Sequence, residues 1–188
     1  IDRNGGIGPG LAESWSISED GKEYVFKIRQ NVKFHDGEAL DASVVKFTLD
    51  RLFAADSTNP AKSLYTDIEK VEAVDPSTVK VTLKSPNSYL LYNLWLGDAG
   101  IMHHKSAATN DKKPVGTGPF AFKERKEGDS VTIERFAGYR DLSNIKLKTI
   151  VFKVVKDPSA QVSALLAGDV DTFPGFQAPE LGEPLGKD

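Results

Sequence analysis

The sequence predicts a mixed α/β fold, and three stretches carry that expectation. "KEYVFKIRQNVKF" (22–34) places Tyr24, Phe26 and Ile28 on one face and Val25, Lys27 and Arg29 on the other, the period-two pattern of a half-buried strand. "DASVVKFTLDRLF" (41–53) instead repeats Val45, Leu49, Leu52 and Phe53 at helical spacing. "KTIVFKVV" (148–155) is an apolar strand that runs into a helical pattern, "DPSAQVSALLAGDVD" (157–171).

Taken in order, the alternating strand ends in "FHDGEAL", a turn whose tightest point is Asp36-Gly37. Asp41 sits where an N-cap belongs, so the first helix is expected over Ala42–Phe53. "ADSTNPAKS" is a polar loop containing Pro60. "IEKVEAVDPSTVKVTLKSP" reads as two strands around an Asp75-Pro76 turn, with Val79, Val81 and Leu83 opposite Lys80, Thr82 and Lys84. "YLLYNLWL" is expected to be a short buried helix. The polar end of "GDAGIMHHKSAATNDKKP" marks a domain boundary near Asp111 to Pro114.

Beyond that boundary, "GPFAFKERK" and "DSVTIERF" read as strands joined at Glu127-Gly128-Asp129. "KTIVFKVV" is apolar enough to lie inside a sheet. The helix after it has Asp157 as cap, Pro158 at its first position and Gly168 just past its end. With a further short strand at Val170 to Phe173, this is a βαβ unit with a right-handed crossover and parallel strands.

Composition narrows the function. Of 188 residues, 39% are hydrophobic and 27% charged, which describes a globular chain. A net charge of −3, with Lys and Arg scattered singly, argues against a nucleic-acid binder, which needs a concentrated basic surface. The absence of cysteine excludes a disulfide scaffold, a thiolate metal site and a cysteine nucleophile. No apolar run approaches the roughly 20 residues that span a bilayer. The start, "IDRNGGIGPGLAESW", is not a signal peptide, and both it and the final "PELGEPLGKD" read as cut ends.

The candidate sites are few. "VGTGPF" has two close glycines but leads into a strand, so no helix N-terminus is present to hold a phosphate. Gly116 and Gly118 are expected to supply backbone angles closed to other residues, with Pro119 fixing the exit. His103 and His104 are adjacent and should diverge, and His35 has no ligand partner, so three partly exposed loop histidines are expected rather than a metal site. Asp169 and Asp171 share a face and could mimic a hydrolase carboxylate pair, although no second constellation supports them and strand capping is the plainer reading. Trp15 and Trp95 sit in apolar contexts that favour core packing over ligand stacking.

Four ordered blocks now resemble one family. "GPGLAESWSISEDGKEYVFKIRQNVKFHDGEALDASVVKFTLDRL", "VEAVDPSTVKVTLKSPNSYLLYNL", "PVGTGPFAFKERKEGDSVTIERFAGYR" and "IVFKVVKDPSAQVSALLAGDVD" are similar to bacterial extracellular solute-binding proteins of the peptide- and nickel-binding family. The resemblance implies a type II periplasmic-binding-protein-like fragment, a mixed sheet with flanking helices plus the family's extra α+β domain. It implies the extra domain over 1–113, a partial first lobe over 114–188, and an opposite lobe outside this chain. It further implies a non-catalytic monomer without cofactor or nucleic-acid partner, outside the cytoplasm, that captures a small solute for the membrane permease of an ATP-driven importer. A short peptide is the expected solute, and the isolated chain should bind it weakly or not at all. The alternatives are a small hydrolase using Asp169 and Asp171, or a member of the same family that carries nickel or another solute.

Ligand-facing residues follow from the same resemblance. They are Phe173, Pro174, Gly175 and Phe176 after "GDVD", Asp98, Ala99 and Gly100 in "LGDAG", and Pro60 and Ala61 after the first helix. Nickel-binding relatives have an aromatic where Ala61 stands and an arginine in the middle wall, which "LGDAGIM" lacks. Relatives also usually cap the helix with Thr in place of Asp41, and both side chains accept the same backbone hydrogen bond.

Overall fold

Alternation in β2 (Glu23–Ile28) translates directly into burial: Tyr24, Phe26 and Ile28 all lie in the core of the computed structural model. The structure describes residues 4–173. They divide into two compact units, the first running up to Ala121 and including Arg135–Lys146, the second comprising Phe122–Glu134 and the described residues from Leu147.

In the first unit a four-stranded sheet has the order β1-β2-β4-β3, with β1 at Ala12–Ile17, β3 at Ile68–Asp75 and β4 at Thr78–Leu83. All neighbours are antiparallel, and the register sets Tyr24 against Val81, Phe26 against Val79 and Val71 against Val81. One sheet face is therefore apolar. The other is solvated, where Lys80 bridges Glu23 at 3.1 Å and Glu72 at 3.8 Å. β1 was not foreseen. "AESWSI" lacks a clean alternation and gains its strand character from pairing with β2.

The first helix, α1 (Ala42–Phe53), lies where its periodicity put it. Asp41 caps it through Oδ1, which accepts the Val44 N–H at 3.0 Å and the Ser43 hydroxyl at 2.6 Å. Val44, Val45, Leu49 and Leu52 face the sheet and join Phe34 and Tyr65 in the core. The Asp36-Gly37 turn forms, with Gly37 at φ +90°.

The second helix, α2 (Leu90–Asn93), corrects the expectation of a buried element. Only Leu90 is buried, whereas Tyr89, Tyr92 and Trp95 are 70%, 45% and 59% exposed. A single turn buries only one side chain fully, so Leu91 and Leu94 are partly buried against the core while the aromatic residues of "YLLYNLWL" stay exposed.

In the glycine loop, neither Gly116 nor Gly118 has the left-handed φ expected of it. Their backbones grip His35 instead. The His35 N–H donates to Gly116 O at 2.9 Å, the Gly116 N–H donates to Nδ1 at 3.3 Å, and Nε2 lies 3.0 Å from Gly118 O. One neutral tautomer, with the proton on Nε2, satisfies both ring contacts. The Phe136 ring packs edge-on against the imidazole at 5.0 Å, and its N–H donates to Pro119 O at 2.8 Å. The loop anchors the chain rather than a ligand.

The strands β5 (Phe120–Lys126), β6 (Ser130–Arg135) and β7 (Thr149–Lys153), most of whose residues belong to the second unit, are neighbours in that order. β7 runs antiparallel to β6, pairing Ile150 with Ile133 and Phe152 with Val131. It is not interior to a sheet among the described residues, and Val151 and Phe152 are 51% and 55% exposed. The third helix, α3 (Pro158–Leu166), has its foreseen cap, Asp157 Oδ1 accepting the Ala160 N–H at 2.8 Å, and Gly168 follows at φ +76°.

The second strand of the βαβ unit does not form over Val170 to Phe173. A strand needs a ladder neighbour to satisfy its backbone groups, and no described segment supplies one there. None of the helices among the described residues is long and apolar enough to cross a membrane.

Candidate functional site

Two loops of the first unit meet beside the end of α1, and an asparagine joins them. Asn59 sits in "TNPA", where its Oδ1 accepts the Ala61 N–H at 2.8 Å and folds the loop as an Asx turn. Its Nδ2 then donates to Asp98 O at 2.8 Å, fixing the second loop to the first. The second loop is also tied to α1. The buried Thr48 hydroxyl lies 3.2 Å from Val44 O and 3.0 Å from Met102 O, and accepts the Met102 N–H at 3.1 Å. Behind them Tyr65 donates to Asn93 O at 2.9 Å. Burial first, then the Asp98 carboxylate, raises the Tyr65 phenol above its ordinary pKa, which keeps it a donor.

These braces frame an open cavity of about 470 Å³. Pro60, Asp98 and Gly100 line it, together with Thr48, Arg51, Asp56, Asn59 and Met102. Three of the residues carried over from the family resemblance thus converge on one cavity. Ala61 is partly buried against the core, and Ala99 is buried. Ala99 and Gly100 also line a second, largely apolar cavity of about 440 Å³, whose walls include Pro9, Trp15, Leu91, Leu94, Trp95 and Ile101. Trp15 packs against the core as expected, but Trp95 does not. Phe173 belongs to the second unit, and Pro174, Gly175 and Phe176 lie outside the described residues.

Arg51 and Asn59 were missed. Asn-Pro announced a turn, but nothing local announces a bond to a carbonyl 39 residues away.

The histidines depart from expectation. His103 is 4% exposed rather than a loop surface residue, and its ring lies 4.2 Å from that of His104 instead of diverging. Its Nδ1 accepts the Lys105 N–H at 3.2 Å, and its Nε2 is 3.9 Å from Glu38. The Glu38 carboxyl is held below its ordinary pKa, chiefly by the Lys105 ammonium at 2.6 Å. Among the described residues no group of three or more His, Asp or Glu side chains is placed to hold a metal ion. Asp169 and Asp171 are both exposed, and the Asp169 carbonyl accepts from Lys153 at 2.8 Å.

Comparison with known proteins agrees with this architecture. Residues 6–185 match the profile of the bacterial extracellular solute-binding proteins, family 5 Middle. The glutathione-binding protein GsiB of Pectobacterium atrosepticum is 40% identical over 164 residues, which are 85% of this chain and 32% of that protein. Among solved structures, AgaA from A. tumefaciens R10, in complex with agropinic acid, superposes with a TM-score of 0.81 at 33% identity, covering 86% of this chain and 34% of that one. NikZ from Campylobacter jejuni, in complex with Ni(L-His), gives 0.80 at 30% identity, with 86% and 34% covered. The chain spans about a third of the length of these relatives. Its fold is that of the type II periplasmic binding proteins. The chain belongs to the bacterial extracellular solute-binding proteins of family 5.

Proposed function

We propose that this chain is part of the substrate-binding component of an ABC importer and captures a small, peptide-like solute without transforming it. The observation that carries the reading is the match to a solute-binding family over residues 6–185, together with a braced polar cavity formed by residues of both carried-over loops. A glutathione-binding relative at 40% identity makes a short peptide the first solute to try. The proposed contacts are Pro60, Ala61, Asp98, Ala99, Gly100, Phe173, Pro174, Gly175 and Phe176, arranged so that backbone groups and small side chains tolerate varied solutes. In this reading residues 1–113 are the family's extra domain and residues 114–188 part of a first lobe. The protein works outside the cytoplasm as a monomer and presents its solute to a membrane permease.

Equilibrium dialysis of the full chain against glutathione and a di- and tripeptide panel, with mass-spectrometric analysis of the solute, tests this. Weak, saturable binding with the solute recovered unchanged is expected, since the chain spans about a third of its relatives. Conversion of any panel member, or no binding of any of them, would count against it.

A further inference from the structure

We propose that the cavity beside the end of α1 is a subsite for an amino-acid head group, with Arg51 taking its carboxylate and Asp98 and Asp56 facing its ammonium. The proposal rests on the reading of the chain as a solute-binding protein and specifies the chemistry at one site. Arg51, Asp56 and Asp98 are the charged residues lining that cavity. Several opposite charges elsewhere on the surface close on each other, as in Lys80 with Glu23, Lys105 with Glu38 and Arg125 with Glu127. Here they do not. Among the described residues no ion pair or side-chain hydrogen bond engages the Arg51 guanidinium, the Asp56 carboxylate or the Asp98 carboxylate.

The geometry gives a reason. Asp98 is held through its backbone carbonyl by Asn59 at 2.8 Å, and Met102 by Thr48, so the loop bearing Asp98 is fixed from both sides. The Arg51 guanidinium carbon lies 5.5 Å from the Phe47 ring centroid, a cation–π contact that consumes none of its N–H donors. A planar, unpaired guanidinium suits bidentate capture of a carboxylate. Carboxylates held apart from it suit an ammonium on the same solute. The cavity volume, about 470 Å³, lies in the range of small-ligand sites.

The test is a calorimetric or NMR titration of the full chain and its R51Q and R51K variants. The probes are reduced glutathione, whose glutamyl end carries an ammonium and a carboxylate on one carbon, and its glutamyl α-amide, which lacks that carboxylate. R51Q should weaken glutathione binding about tenfold or more, as expected for a lost charge-assisted bond, and R51K less. The wild type should bind the α-amide as weakly as R51Q binds glutathione, and R51Q should no longer distinguish the two. Equal affinity of wild type and R51Q for glutathione, or of wild type for the two probes, overturns the assignment while leaving the solute-binding reading intact. Failure of the wild type to bind glutathione or any peptide of the panel overturns both. Arg51 is exposed, so an unchanged melting curve of R51Q confirms that folding is not what changed.

Discussion

His35 does with one ring what the glycines of its partner loop were expected to do alone. It holds Gly116 and Gly118 by their backbones and packs on Phe136. Replacing it by Ala removes both ring hydrogen bonds, and urea unfolding should show a loss of about 1–3 kcal/mol. Asp41 has a narrower role. Asp41→Ala should cost about 1 kcal/mol in the same assay, whereas Asp41→Thr, which keeps the cap, should come within a few tenths. Asp75 is a proton-linked residue. Bonds from the Thr78 hydroxyl, then the Ser77 hydroxyl and N–H, hold its carboxyl at about 2, against an ordinary 3.8. Because the folded value is the lower one, its contribution is complete above the ordinary value and disappears as pH falls toward about 2. Thermal melts should therefore show the difference between wild type and Asp75→Asn shrinking across that interval. A constant difference from neutral pH down to the acid limit would exclude the linkage.

At the scale of elements, α1 was legible because its cap and apolar repeat are both local. Leu49→Ala should cost about 2–5 kcal/mol as a buried large-to-small change. Thr48→Val tests the brace, leaving the Met102 N–H and C=O without their partner. It should destabilise by about 1–3 kcal/mol and loosen the loop at Asp98, read by amide exchange there. Other elements were not legible, for identifiable reasons. "AESWSI" is a strand through β2, and "TIVFK" is apolar as an interior strand would be, yet lies at the edge of its described sheet. Apolar content announces burial only where a neighbour exists to bury against. Pro60 and Asp98 could be named only through family resemblance. Arg51 and Asn59 needed the fold, because their roles depend on residues far along the chain.

The whole molecule combines two units of unequal packing. The first contains the contiguous core from Tyr24 to Ala99, whereas in the second α3 has no fully buried residue and Val151, Phe152, Val154 and Leu166 are exposed. Amide exchange should accordingly be slow in β2 and β4 and much faster in β7 and α3. Equal protection would mean that the second unit is as well packed as the first. The most direct test of solute capture is an amide chemical-shift map of the full chain during titration with glutathione. Shifts should concentrate on Asn59–Ala61, Asp98–Met102 and the end of α1, with the glutathione unaltered afterwards. Shifts absent from both loops at millimolar solute, or glutathione consumed during the titration, would contradict the assignment.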